Sequence, residues 1–160
     1  MKRSIQQIKK VKVHPQEIDQ HQPLARFMIT LFNLFEDEII SALSESTYSE
    51  ISRSDLNTLR YIDQAGVTVG QLARFSGVSK QAISKQLEDL VERGYVQKTA
   101  DENDGRIVRV KFSNKGLGLL NTLIKIISGI EARYQKKIGK LEYDKLKRNL
   151  GILVGLYVQR

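Results

Sequence analysis

The sequence contains no cysteine, no tryptophan and only two histidines. The absence of cysteine excludes a disulfide framework, thiolate metal sites and a cysteine nucleophile. A histidine-built metal site is also disfavoured, because His14 and His21 are the only imidazoles. The sequence therefore predicts a protein without a metal or another cofactor.

Long apolar runs and a secretion signal are lacking as well. No apolar segment approaches the roughly 18 residues of a membrane helix, and the first twenty residues are basic and polar. We therefore expect a cytoplasmic protein with no membrane partner. With 160 residues, 41% hydrophobic and 28% charged, the chain fits a single globular domain.

Positive charge is in excess, with 26 Lys and Arg against 18 Asp and Glu. The surplus is concentrated at the two ends, and residues 1–12 carry five basic and no acidic side chains. A basic surplus favours a polyanionic partner, although a solvated surface explains terminal charge equally well. Residues 1–21 are interpreted as a basic N-terminal tail.

Apolar residues at spacings of three and four predict long helices over residues 22–44, 113–137 and 141–158. A shorter helix is predicted to start at Ser54-Asp55 and to be stopped by Ala65-Gly66. Helix 22–44 has an apolar side broad enough to be buried from two directions. Such helices suit a dimer interface, and the alternative is that they are simply core helices.

Residues 68–93 have the pattern of a helix-turn-helix. Thr68 and Ser79 are predicted N-caps, and Gly77 permits the left-handed backbone of the turn. Val78 is expected to fill the angle between the helices. The buried stripe of the second helix is predicted to contain Ile83, Leu87, Leu90 and Val91.

The opposite face of the second helix carries short or flexible polar residues on its first turns. Lysine suits the guanine edge, glutamine suits the adenine edge, and serine can donate or accept. These residues are therefore candidate DNA contacts: Ser79, Lys80, Gln81, Ser84 and Lys85. The alternative is an ordinary helical hairpin with a solvated polar face.

Alternation of apolar and polar residues predicts a two-stranded wing over residues 95–112, with a polar turn at residues 101–105. Val108, Val110 and Phe112 are expected to face the core, and Arg109 to lie on a basic face. Arg106 at the tip can enter a minor groove or bind phosphate. Asp104, Arg106 and Arg109 are candidate DNA contacts, although a plain hairpin turn also explains Asp104 with Gly105.

These motifs resemble the MarR family of bacterial transcription regulators over residues 22–158. The specific part is the Asp-x-Arg wing motif, here Asp104-Gly105-Arg106, whereas many regulators share the helix-turn-helix. In the family a Leu-Thr pair and a glycine follow this motif. Here Phe112-Ser113 replaces Leu-Thr, which keeps an apolar plug and a hydroxyl cap, and Gly116 is present.

The resemblance implies a homodimer in which the long terminal helices of two subunits interlock. Family members often bind small phenolic or aromatic acids between these helices and the DNA-binding lobe. The residues offered here for such a site are Arg26, Phe27, Phe35, Arg60 and Tyr61, although ordinary core and surface roles explain them as well. The lack of cysteine argues against sensing by thiol oxidation.

Together these features predict a mainly α fold with a small β wing, a winged helix-turn-helix flanked by long dimerisation helices. The expected function is sequence-specific binding of double-stranded DNA at a near-palindromic operator, as a repressor. A protein-interaction module built on the same fold is the alternative. An enzyme is disfavoured, because the adjacent acids Glu36, Asp37 and Glu38 lack a partner base.

Overall fold

The computed structural model describes residues 21–101 and 104–158. Most of the predicted basic tail and residues 102 and 103 of the wing turn lie outside the described residues. Within the described ranges the chain is mainly helical with one small sheet, as predicted. The elements are α1 (Leu24–Ser44), α2 (Arg53–Leu59), β1 (Val67–Thr68), α3 (Val69–Ser76), α4 (Lys80–Glu92), β2 (Val96–Ala100), β3 (Val108–Phe112), α5 (Asn114–Ile138) and α6 (Lys140–Val158).

The contacts of the chain fall into two compact units, of which the first ends at Leu123 and the second begins at Ile124. The boundary lies inside α5. The first unit contains the helix-turn-helix and the wing, and residues 51–112 of it are called the winged-helix lobe below. Within the second unit, Ile130 and Tyr143 are buried, and burial raises the pKa of Tyr143 to about 12.

The sheet has three antiparallel strands in the order β1-β3-β2. Val96 pairs with Phe112, and Val67 pairs with Val110. The two wing strands confirm the predicted ribbon, whereas β1 was not predicted. A strand of two residues has no alternation of its own, so only its pairing with β3 defines it.

The core of the winged-helix lobe is fully closed to solvent. Apolar side chains from α3, α4, the sheet and the residue before β2 meet there, and five of them have no exposed surface: Leu72, Leu87, Leu90, Tyr95 and Val110. Each large apolar side chain that is fully buried contributes about 1.5–3 kcal/mol. The lobe therefore holds its shape by its own packing.

Helix α2 is shorter than predicted. It ends at Leu59, because the N–H groups of Tyr61 and Ile62 donate to carbonyls three residues earlier, at 3.3 and 3.1 Å. These tighter bonds are the usual end of an α-helix. Ile62 is buried all the same, as a residue of the following turn.

Three predicted core positions are exposed. Val91 at the end of α4 is 37% exposed, and Val78 in the turn is 42% exposed and lines an open groove. Val108 is 48% exposed, because it lies opposite Ala100 at the open end of the wing, beyond the core. The apolar period of α4 and of β3 therefore continues past the part of each element that the core covers, and Val78 borders the groove where burial between the helices was expected.

Helix α1 differs between its two halves. Ile39 and Leu43 are buried, whereas large apolar residues of the first half are exposed: Leu24, Met28, Ile29, Leu31 and Phe32. The buried carboxylate of Glu36 lies between them and pairs with the Arg60 guanidinium at 2.5 Å. No helix in the described ranges has the length and hydropathy needed to cross a membrane.

Candidate nucleic-acid interface

The first helix of the helix-turn-helix begins at a capping box. The Thr68 hydroxyl accepts a hydrogen bond from the Gln71 N–H at 3.2 Å, and the Gln71 side chain accepts one from the Thr68 N–H at 2.9 Å. Thr68 also belongs to β1, so the sheet fixes the position of this helix start. The chain reverses direction after this helix at Gly77, whose φ of 69° lies in the left-handed region.

Helix α4 presents two distinct faces. The Ser79 hydroxyl caps it by accepting from the Ala82 N–H at 3.2 Å, as predicted. Ile83, Leu87 and Leu90 are buried against the core. Of the predicted DNA contacts, Ser84 is half-buried, and these are exposed: Ser79, Lys80, Gln81 and Lys85.

Charge is segregated along α4. Its first two turns carry Lys80 and Lys85, whereas its last two turns carry the acidic residues Glu88, Asp89 and Glu92. Phosphate oxygens attract the first group and repel the second. The N-terminal end of α4 is therefore the end suited to a polyanion, which is the end that a recognition helix places in the major groove.

The wing tip exposes one cation almost completely. The Arg106 side chain is 96% exposed, and its Nε lies 3.8 Å from Asp104 Oδ1. The same carboxylate oxygen accepts a hydrogen bond from the Arg106 N–H at 3.0 Å. Asp104 therefore shapes the backbone beside Arg106, and the guanidinium points into solvent.

Arg109 has a different environment from Arg106. Its guanidinium pairs with Asp101 and donates to the Gly66 carbonyl at 3.0 Å, and its side chain is 31% exposed. Asp101 was not among the predicted site residues. The available signal was its position eight residues before Arg109 in a predicted hairpin, which puts the two side chains near each other across the ribbon.

The base of the wing is joined to α5 through a close backbone approach. The Ser113 hydroxyl donates to the Gly94 carbonyl at 2.5 Å and accepts from the Gly116 N–H at 3.1 Å. A Cβ on Gly116 would lie 2.0 Å from the Tyr95 carbonyl oxygen. The serine cap and the glycine in the sequence motif thus have direct structural roles.

A polar cluster lies beside this junction. Glu50 Oε1 accepts hydrogen bonds from the Tyr95 hydroxyl at 2.6 Å and from the Lys115 ammonium at 3.0 Å. These two bonds lower the pKa of Glu50, the bond from Tyr95 more than that from Lys115. Burial raises the pKa of Tyr95, and its bond to Glu50 raises it further.

The five predicted ligand residues do not form one cluster. Arg60 pairs with Glu36, its guanidinium lies 5.1 Å from the centre of the Phe32 ring, and the Tyr61 and Phe75 rings are 6.0 Å apart. Arg26 and Phe27 lie ten and nine residues before Glu36 on α1, which is about 15 Å along the helix axis. Phe35 is half-buried on α1.

An open groove runs between α2 and α4. Its volume is about 640 Å³, and its lining includes Thr58, Tyr61, Val78, Gln86 and Asp89. The Thr58 hydroxyl and the Gln86 side chain are 2.7 Å apart across the two helices. Among the five predicted ligand residues, Tyr61 lines this groove. No cluster of metal-ligating side chains occurs in the described part of the chain.

A family model described as the MarR family matches residues 49–107, from the residues before α2 to the wing tip. Over this winged-helix segment the chain is similar to the MarR family. The matched segment contains α3, α4 and the Asp104-Gly105-Arg106 motif, so the predicted resemblance is confirmed. No curated protein matches the sequence.

Solved structures of MarR-family proteins have the same fold. Wild-type MarR from Escherichia coli is 22% identical, with a TM-score of 0.66, and 82% of this chain and 97% of that chain are covered. FabT of Streptococcus pneumoniae, solved in complex with DNA, is 18% identical, with a TM-score of 0.67 and coverage of 83% and 94%. A MarR family protein of Mycobacterium tuberculosis, in complex with salicylic acid, is 23% identical, with a TM-score of 0.63 and coverage of 84% and 98%.

Proposed function

We propose that this chain is a DNA-binding transcription regulator without enzymatic activity, which acts in the cytoplasm as a homodimer on a near-palindromic operator. The observation that carries the proposal is the exposure of cations at the start of α4 and at the wing tip. Lys80, Lys85 and Arg106 extend from a rigid MarR-type lobe. A dimer bound at a promoter would exclude polymerase, so repression is the expected outcome.

The two sets of contacts have different roles. Gln81 and Ser84 are suited to hydrogen bonds with base edges, and Lys80 and Lys85 to guanine or to phosphate. Ser79 caps α4, and its position at the helix N-terminus suits a backbone phosphate. Arg106 is suited to phosphate or a narrow minor groove, with Asp104 holding the turn beside it. FabT, a relative of the same fold, binds DNA.

The exposed apolar residues of α1 and α6 support the homodimer. Leu24 and Ile29 on α1 are 58% and 62% exposed, and Leu141, Ile152 and Leu156 on α6 are between 60% and 65% exposed. A single chain that leaves large apolar side chains in water on two helices gains free energy by covering them. A second copy supplies matching faces, because an isologous interface is self-complementary.

Regulation by a small aromatic acid belongs to the same proposal. The relative from Mycobacterium tuberculosis binds salicylic acid. Arg26, Phe27, Phe35, Arg60 and Tyr61 remain the proposed contacts, and the groove beside α4 adds a place where Tyr61 can stack on an aromatic ring. A ligand seated against α4 would shift the helix that contacts DNA, and its binding would weaken DNA affinity by the same factor that DNA weakens ligand affinity.

A gel-shift series on random-sequence DNA at several salt concentrations tests DNA binding. We expect the logarithm of affinity to fall linearly with the logarithm of salt concentration, because bound cations release counterions. Lys85→Ala should make this slope shallower by about one for each subunit that contacts DNA, whereas the control Lys145→Ala on α6 should leave it unchanged. Absence of salt-dependent binding would favour the alternative, a winged-helix protein-interaction module.

A further inference from the structure

Arg109 lies on the central strand of the sheet. Its neighbours across the strands are Thr99 on β2 and Thr68 on β1. Arg106, three residues earlier, has a side chain that is 96% exposed, whereas that of Arg109 is 31% exposed. One arginine of the wing is therefore almost fully exposed to solvent, whereas the other is largely covered. This difference indicates different roles.

The Arg109 guanidinium bridges two parts of the lobe. Its Nε donates to Asp101 Oδ2 in the wing, and its Nη1 donates to the Gly66 carbonyl at 3.0 Å. Gly66 directly precedes β1, and Thr68 at the end of β1 caps the first helix of the helix-turn-helix. The bridge thus runs from the wing loop to the residues that fix the start of α3.

Asp101 continues the bridge into the wing loop. Its Oδ1 accepts a hydrogen bond from the Asp104 N–H at 3.1 Å, and its own N–H donates to the Ile107 carbonyl at 2.8 Å. The Asp101 side chain is only 7% exposed, so water screens its pairing with Arg109 weakly. One carboxylate therefore holds the loop backbone on one oxygen and the guanidinium on the other.

We propose that Asp101 and Arg109 are positioning residues, which fix the wing loop against the helix-turn-helix so that Arg106 is preoriented for DNA. This proposal rests on the proposed function in so far as the wing binds DNA. Arg109 then acts through the loop and does not contact phosphate itself, which revises its sequence-based assignment as a DNA contact. Preorganisation raises affinity because less conformational entropy is lost on binding.

The test combines two readouts on Arg109→Leu and Asp101→Asn. The first is hydrogen exchange of the Asp104 and Ile107 amides in the free protein. The Asp104 N–H donates to Asp101 Oδ1, and the Ile107 N–H donates to the Asp104 carbonyl at 2.9 Å. We expect exchange at both amides to become at least tenfold faster in both variants. The second is DNA affinity as a function of salt concentration. We expect affinity to fall by about tenfold with an unchanged salt slope, because no phosphate contact is lost.

Arg106→Leu is the matched control, since it removes an arginine from the same wing. Its amide exchange should match that of the unsubstituted chain, and its salt slope should become shallower by about one for each subunit that contacts DNA. Arg109→Lys adds a finer test, because lysine keeps the charge but lacks the planar fork that reaches two acceptors at fixed angles. Its exchange should lie closer to that of Arg109→Leu than to that of the unsubstituted chain.

Unchanged amide exchange in both Asp101→Asn and Arg109→Leu would overturn the positioning role. A salt slope for Arg109→Leu as shallow as that for Arg106→Leu would overturn it as well. If Arg109→Leu does not fold, Asp101→Asn and Arg109→Lys decide both readouts. Failure of the unsubstituted chain to bind DNA would instead contradict the proposed function. The exchange result would then still decide whether Asp101 and Arg109 hold the loop.

Discussion

The winged-helix lobe and the end helices, α1 and α6, differ in how far their apolar side chains are buried. In the lobe, Leu72, Leu87 and Leu90 have no exposed surface. On the end helices, Leu24 and Leu156 are 58% and 65% exposed. The difference teaches that one chain completes the lobe, whereas the end helices have apolar faces that a single chain leaves uncovered.

Removal of α6 should have the largest effect, on solubility and on DNA binding. A chain that stops after Gly139 loses one of the two exposed apolar helices and the contacts of Tyr143 with the rest of its unit. We expect this variant to aggregate or to lose DNA binding, because the remaining long helices lack their partner surface. Light scattering and a gel shift measure the two outcomes. A soluble truncated protein that binds DNA like the full chain would show that α6 is dispensable.

The closed packing of the lobe predicts a large effect of Gly116→Ala. The added methyl group would lie 2.0 Å from the Tyr95 carbonyl oxygen, so β2 and α5 must move apart. Overpacking of this kind costs about 1–3 kcal/mol in the free energy of unfolding, which urea denaturation measures.

Gly105→Ala is the control, because a Cβ at this wing position meets no atom within 4 Å. Its effect should stay within about 0.5 kcal/mol. Equal stability of the two variants would contradict the close approach of α5 to β2.

On the surface of the lobe, Arg106→Ala and Gln81→Ala should separate two kinds of DNA contact. Loss of the exposed Arg106 guanidinium should weaken binding to all sequences, by about tenfold at moderate salt, because phosphate carries no sequence information. Gln81→Ala should chiefly relax base preference at one position of each half-site, at a cost of about 1–3 kcal/mol for the preferred base. Selection of bound fragments from a random pool measures both. If both variants lost the same affinity for specific and for random DNA, these roles would be refuted.

The smallest effect concerns the pH dependence of stability. The pKa of Glu50 is lower in the folded chain, so its ionised form adds stability above its usual pKa of 4.5, and this gain is lost as pH falls through the lowered pKa. Glu50→Gln should therefore flatten the decline of stability below pH 4.5. Tyr95→Phe, which removes the hydrogen bond that lowers the Glu50 pKa most, should flatten it in part. Thermal unfolding between pH 6 and pH 3 measures the decline, and curves parallel to that of the unsubstituted chain would argue against this contribution.

Features of the lobe that depend on the local sequence could be predicted. Thr68 and Ser79 cap their helices and Gly77 reverses the chain, because these effects depend on a few neighbouring residues. The alternation in β2 and β3 likewise follows from one face being buried.

The missed features depend on distant partners. Strand β1 exists because Val67 pairs with Val110, and Arg109 turns inward because Asp101 and Gly66 accept its hydrogen bonds. Val91 is apolar at the correct period and Val78 is apolar at a predicted turn position, yet both are exposed. Periodicity identifies the apolar side of an element but not where its covering partner ends.

The most direct test of the account is the arrangement of the preferred DNA site. A two-fold dimer that covers the apolar end helices places its two recognition helices about one turn of DNA apart. Sequencing of genomic fragments bound by the full chain should therefore yield an inverted repeat with half-site centres about 10 bp apart, occupied by two chains. Tight, saturable binding of one chain to a single isolated half-site would contradict the account.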